Sequence, residues 1–209
     1  MLPNPSPGAA ASNSMTDRII LIGYMGAGKT TVGRALARAL HMPFYDLDWY
    51  IEQRMHRSVR QIFDERGEEG FRNVERNMLH EVAEFNRVVL SCGGGTPCFF
   101  DNIDYLNRQG ATVYLKATPD VLFSHLHMGR NVRPLLLGKT PDEVRHFISE
   151  QLAEREDFYT KAHYTVDISL LDNHKKVQDT ILRLCETLGI STDNINTNNN
   201  RNKTIKTTF

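Results

Sequence analysis

Residues 18–40 read RIILI-GYMGAGKT-TVGRALARAL, and this stretch decides the fold. Arg18 to Ile22 is a short, β-branched apolar run, the pattern of a buried strand. Gly23 to Thr30 fits G-x-x-x-x-G-K-[ST]. Thr31 to Leu40 is rich in helix formers and carries apolar side chains at Val32, Leu36, Ala39 and Leu40. A chance match in a glycine-rich turn would lack these flanking elements; strand before and helix after are the setting in which the motif wraps phosphate oxygens. Glycines let backbone N–H groups approach an anion closely, and the helix start adds its positive end. In such a loop Lys29 brings a point charge to the β- and γ-phosphates, and Thr30 offers a hydroxyl to Mg²⁺.

Outward from that stretch, strands and helices alternate. Pro43 to Tyr45 predicts a second strand, ending at Asp46. Helices are expected around Trp49 to Met55, Val59 to Arg66 and Glu69 to Phe85, the last from Phe71, Val74, Met78, Leu79, Val82 and Phe85 at helical spacing. Val88 to Leu90 reads as a buried strand closed by Gly93-Gly94-Gly95. A helix near Asn102 to Arg108, a strand at Ala111 to Leu115 and a helix from Pro119 to Met128 follow. Pro141 begins another helix, Thr165 to Ile168 reads as the last strand, and Lys176 to Leu188 as the last helix. The class is α/β, with a parallel sheet covered on both faces. Ligands bind such sheets at the carboxyl ends of the strands, so the loops after Ile22, Tyr45 and Leu90 should surround one crevice.

The chain has 209 residues and a formal net charge of zero, which gives no global field for nucleic acid or an anionic membrane. Any anion must be held locally. No run approaches a membrane span. Cys92, Cys98 and Cys185 are too few for a disulfide framework and suit a reducing cytosol, so a cytoplasmic monomer is expected. Residues 1–15 and 191–209 lack the apolar content to order themselves, which leaves a folded unit at 16–190. Within it, residues 129–139 are polar and basic and read as a mobile loop.

Asp46-Leu47-Asp48 closes the second strand. If the strand continues, both acids share a side. One could then hold Mg²⁺ and the other orient or deprotonate an acceptor hydroxyl; a solvated turn or a helix N-cap by Asp48 is the plainer alternative. Arg72 has Glu75 at i+3 as a partner, and Arg155 has Tyr159 at i+4. Taken alone, either arginine reads as a surface charge.

The set of motifs resembles shikimate kinase over about residues 17–188. The matching elements are Gly23 to Thr31, Asp46-Leu47-Asp48, Gly70-Phe71-Arg72-Asn73-Val74-Glu75, Gly93-Gly94-Gly95, Arg133-Pro134-Leu135-Leu136, and Arg155 with Tyr159. The phosphate loop is common to many nucleotide enzymes; the combination is far more specific. The resemblance implies a P-loop NTPase of the nucleoside-monophosphate-kinase type, with a five-stranded parallel sheet flanked by helices and a mobile lid. It implies ATP- and Mg²⁺-dependent phosphorylation of the 3-hydroxyl of shikimate, on the route to chorismate and the aromatic amino acids. By the same resemblance, Gly26, Ala27, Gly28, Lys29, Thr30 and Thr31 hold the phosphates. Thr30 and Asp46 serve the metal, and Asp48 binds the acceptor hydroxyl as candidate base. Arg72 and Arg155 grip the carboxylate with Gly94 and Gly95, and Arg133 reaches the transferring phosphates from the lid.

One departure stands out. Where the family often carries an arginine that stacks on adenine, this chain reads Phe123-Ser124-His125-Leu126-His127-Met128, so His125 or His127 is a candidate substitute, or the contact is absent. Two other readings compete: a kinase for another hydroxy acid such as gluconate, and a non-catalytic nucleotide-binding module. The Phe71-Arg72-x-x-Glu75 element and the triple glycine favour shikimate over gluconate, and intact Lys29, Thr30, Asp46, Asp48 and Arg133 argue for catalysis.

Overall fold

The computed structural model, which describes residues 15–128 and 138–191, buries Ile19 to Ile22 completely. These residues form β1 (Arg18–Ile22), the middle strand of the sheet. Around it run α1 (Lys29–Leu40), β2 (Phe44–Asp46), α2 (Leu47–Met55), α3 (Val59–Ala83), β3 (Val88–Ser91) and α4 (Asn102–Gln109). The chain continues through β4 (Ala111–Lys116), α5 (Pro119–Met128), α6 (Pro141–Tyr159), β5 (Tyr164–Asp167) and α7 (His174–Thr187). The strands lie in the order β2-β3-β1-β4-β5, and every neighbouring pair is parallel. Ile20 stands opposite Leu90 of β3 and Thr112 of β4. After β3 the chain crosses to the other side of β1, so the loops after β1 and β3 diverge there and leave a crevice at their carboxyl ends.

Local chemistry sets the helix limits. Gly28 takes a left-handed conformation, and α1 begins at Lys29. It buries Val32, Gly33, Leu36 and Ala37, one stripe at helical spacing. Ser58 and Gln61 form a capping box at the start of α3, and Thr140 and Glu143 form another at the start of α6, with Pro141 in its first turn. The two helices expected from Val59 to Arg66 and from Glu69 to Phe85 are both present within α3, separated by a break at Gly67 with φ 68° and ψ −176°.

The second strand does not continue through Asp48. It stops at Asp46, and Leu47 opens α2. Leu47, Tyr50 and Ile51 are buried at positions i, i+3 and i+4, a helical stripe that only a helix starting here can deliver to the core. Asp46, not Asp48, caps that helix: its Oδ1 accepts from the Trp49 backbone N–H at 3.5 Å, and Asp48 lies inside the first turn because the helix starts at Leu47. The expected tails lie almost wholly outside the described residues, as does all of the expected lid but Gly138 and Lys139. Among the described residues no helix is long and apolar enough to cross a membrane.

Gly23 turns the chain out of β1 with φ 134°, and a Cβ there would sit 2.8 Å from the Leu115 carbonyl oxygen. A Gly23→Ala variant is strained both by its backbone angle and by this backbone contact, and should lose about 1–3 kcal/mol of stability. Chemical denaturation of the purified variant against the wild type measures that loss.

Candidate active site

The phosphate loop occupies residues 23–30 between β1 and α1. Lys29 is 9 % exposed, and its Nζ donates to the carbonyls of Gly23 at 2.8 Å and Tyr24 at 3.0 Å. The ammonium is thereby folded onto its own loop, at the point where the helix end and the surrounding amides favour an anion. Beside it, Thr30 Oγ1 donates to Asp46 Oδ2 at 2.8 Å. The capping role of Asp46 therefore leaves its second oxygen facing the crevice.

A cavity of about 360 Å³ joins these parts. Gly26, Gly28, Lys29, Thr30 and Thr31 of the phosphate loop and α1, Asp46 and Asp48 of the next corner, and Gly93 and Gly94 of the loop after β3 all line it. The loops after β1, β2 and β3 thus meet as expected, although the two acids arrive from a strand end and a helix start. Asp48 lines the cavity and is accessible to solvent. Dehydration raises its pKa to about 6, with further upward pressure from the Asp46 and Glu75 charges and opposition from Lys29.

The acceptor end centres on Arg72. Its Nη1 donates to Glu75 Oε2 at 2.8 Å, so the i+3 pairing expected from the sequence forms. Glu75 is 1 % exposed, and its other oxygen accepts from Thr96 Oγ1 at 2.7 Å. Thr96 is itself fully buried, and its carbonyl accepts from Asn102 Nδ2 at 2.9 Å. The guanidinium carbon lies 3.9 Å from the centre of the Phe99 ring. The result is an arginine fixed edge-on by a carboxylate and face-on by an aromatic ring. Its Nε is buried and has no hydrogen-bond partner among the described residues. Nη2 makes only a 3.5 Å contact with exposed Glu68.

The triple-glycine loop fits between these elements. A Cβ on Gly95 would sit 2.8 Å from Arg72 Nη2, so only glycine permits this approach of loop and guanidinium. The Gly94 carbonyl accepts from the Tyr159 hydroxyl at 2.6 Å, which ties the loop to α6. Arg155, four residues earlier on α6, donates to Gln151 Oε1 at 2.7 Å and lies over the Tyr24 ring at 5.5 Å. Cys98 stands within electrostatic reach of both arginines; burial nevertheless pushes its thiol up to about 11, which makes it a packing residue. Arg133 lies outside the described residues.

Sequence reasoning missed Thr96, Phe99 and Asn102. Their roles arise from a loop fold that no short motif encodes, and the triple glycine immediately before Thr96 was the one available pointer. Of the two histidines considered for adenine, His125 lines the cavity, whereas exposed His127 hydrogen-bonds through Nδ1 to the Phe123 carbonyl of its own helix.

Known proteins share the sequence and the fold of this chain. The family model described as shikimate kinase matches residues 25–186. Shikimate kinase from Bacteroides thetaiotaomicron is 54% identical over 171 residues, spanning 82% of this chain and 98% of that protein. The crystal structure of shikimate kinase from the same species superposes with a TM-score of 0.81, covering 83% of this chain and 98% of that one. The Acinetobacter baumannii shikimate kinase, solved in complex with shikimate, is 33% identical with a TM-score of 0.69, covering 81% of this chain and 91% of its own. A gluconokinase from Sinorhizobium meliloti, 20% identical with a TM-score of 0.53 and covering 84% of this chain and 97% of its own, shares the fold alone. The chain belongs to the shikimate kinase family.

Proposed function

We propose that this chain transfers the γ-phosphoryl group of ATP to the 3-hydroxyl of shikimate, with Mg²⁺ as cofactor, as a step toward chorismate and the aromatic amino acids in the cytoplasm. The observation that carries the reading is Arg72. It is locked by Glu75 and Phe99, and it lies against Gly95 of the triple-glycine loop, whose Gly93 and Gly94 line the same cavity as the phosphate loop. Guanidinium edges match carboxylates bidentately, and a neutral protein that binds a small acid needs such a local cation.

The residues divide the work. Backbone amides from Gly26 to Thr31 and the Lys29 ammonium hold the phosphates, Lys29 leaving its loop carbonyls to do so. Thr30 and Asp46 offer two hard oxygens at one point, and among the described residues no cluster of three or more His, Cys, Asp or Glu builds a metal cage. That donor set fits Mg²⁺, which keeps several waters and takes substrate phosphate oxygens. When bound, the ion would neutralise charge on the transferring phosphates. Arg72 and Arg155, with Gly94 and Gly95, orient the acceptor. Asp48 takes the proton from its hydroxyl as the new O–P bond forms and the bond to the β-phosphate oxygen breaks, releasing ADP. Arg133 adds charge neutralisation at the phosphates, an assignment that rests on its R-P-L-L motif.

The direct test is ADP release with ATP and Mg²⁺, comparing shikimate, gluconate and no acceptor; release dependent on shikimate is expected, and release with gluconate alone would overturn the assignment. Lys29→Ala should lower turnover about 100-fold or more. Arg72→Ala should raise the shikimate KM about tenfold to a hundredfold while the ATP KM stays near wild type. An altered ATP KM with normal shikimate KM would refute the role given to Arg72. The Asp48 carboxyl should titrate near pH 6 in the nucleotide-free protein, read by carboxyl NMR. Below that pH it is protonated and cannot accept a proton, so the rate should fall as pH drops. Removing the Glu75 charge by Glu75→Gln removes one source of the upward shift and should move the midpoint down.

A further inference from the structure

His125 reaches across the cavity wall and commits both ring nitrogens. The Leu171 backbone N–H donates to its Nε2 at 2.7 Å. An amide can only donate here, so Nε2 carries no proton, and the proton sits on Nδ1. Nδ1 lies 2.7 Å from the Gly26 carbonyl oxygen, which can only accept. The tautomer is therefore fixed by its two partners. Those partners belong to distant parts of the chain: Gly26 to the phosphate loop, and Leu171 to the connection between β5 and α7. Leu171 in turn covers Gly28, and Leu126, next to His125 on α5, packs against Gly26. His125 and Leu171 line the same cavity as the phosphate loop.

We propose that His125 is a positioning residue for the nucleotide: it clamps the Gly26 carbonyl and the Leu171 amide together, so that the phosphate loop and the wall beside it are set in one arrangement before ATP arrives. The inference deepens the kinase reading, since it concerns how the same cleft receives its nucleotide. The imidazole does this by bridging two backbones, a task separate from stacking on a base. Preorganisation of this kind appears as nucleotide affinity, because an unclamped loop must be ordered by the ligand. It leaves the acceptor end alone, since Arg72, Glu75 and Thr96 share no contact with the clamp.

The test is calorimetric binding of ADP and, separately, of shikimate to the wild type and three variants. His125→Leu removes both bonds and should weaken ADP about tenfold, the equivalent of roughly one net hydrogen bond. His125→Asn keeps a donor where Nδ1 stands, and His125→Gln keeps an acceptor where Nε2 stands, so each should recover part of the loss. Shikimate affinity should stay within about twofold throughout, as expected for groups that share no partner. ADP affinity unchanged in His125→Leu would overturn the proposal. So would parallel weakening of shikimate in all three variants, which marks a general loss of structure. The ADP comparison uses no acceptor, so it stands or falls apart from the choice of substrate.

Discussion

Parallel pairing of β1 with both β3 and β4 is the constraint on which everything else rests. Parallel strands send all their carboxyl ends to one edge, and β1, with Ile19 to Ile22 completely buried, is paired on both sides in the middle of that sheet. The phosphate loop, the Asp46–Asp48 corner and the triple-glycine loop are then neighbours by necessity, though about seventy residues separate the first from the last. The phosphate loop needs a rigid strand behind it and a helix ahead of it. The acceptor site needs a loop that stays near that strand while contacting α3. One sheet edge supplies both.

The two ends of the crevice handle charge differently. At the nucleotide end, positive potential comes from amides, a helix start and one lysine that is satisfied by its own loop until an anion displaces those contacts. At the acceptor end, the cation is a guanidinium already engaged by a buried carboxylate. Breaking such a pair by removing one member typically costs about 3–5 kcal/mol, which makes Glu75 a rigid support for Arg72. The Thr96 hydroxyl occupies the second oxygen of Glu75, and Asn102 anchors Thr96. The carboxylate thus cannot swing toward Asp48 and compete for the acceptor hydroxyl.

Much of this was legible in the sequence because it is local. The strand–loop–helix unit at residues 18–40 and the pairing of Arg72 with Glu75 need only spacing and side-chain type. The Asp46–Asp48 corner was half legible. Period-two alternation and a cap by Asp48 both fitted those residues; the buried stripe Leu47, Tyr50, Ile51 starts the helix two residues earlier and gives the cap to Asp46. What could not be read are contacts between segments far apart in the chain. His125 meets Gly26 and Leu171, 99 and 46 residues away, and Thr96 meets Glu75 across 21. Such partners have no signature until the sheet brings their loops together.

The corner that ends β2 has an optical consequence. Trp49 is the only tryptophan in the chain, it is 53% exposed, and its backbone is tied to Asp46 one residue from Asp48. Indole emission depends on the polarity and motion of its surroundings. The protein therefore carries a built-in fluorophore on the helix turn beside Asp48, whose signal comes from a single known place and needs no label to follow changes there.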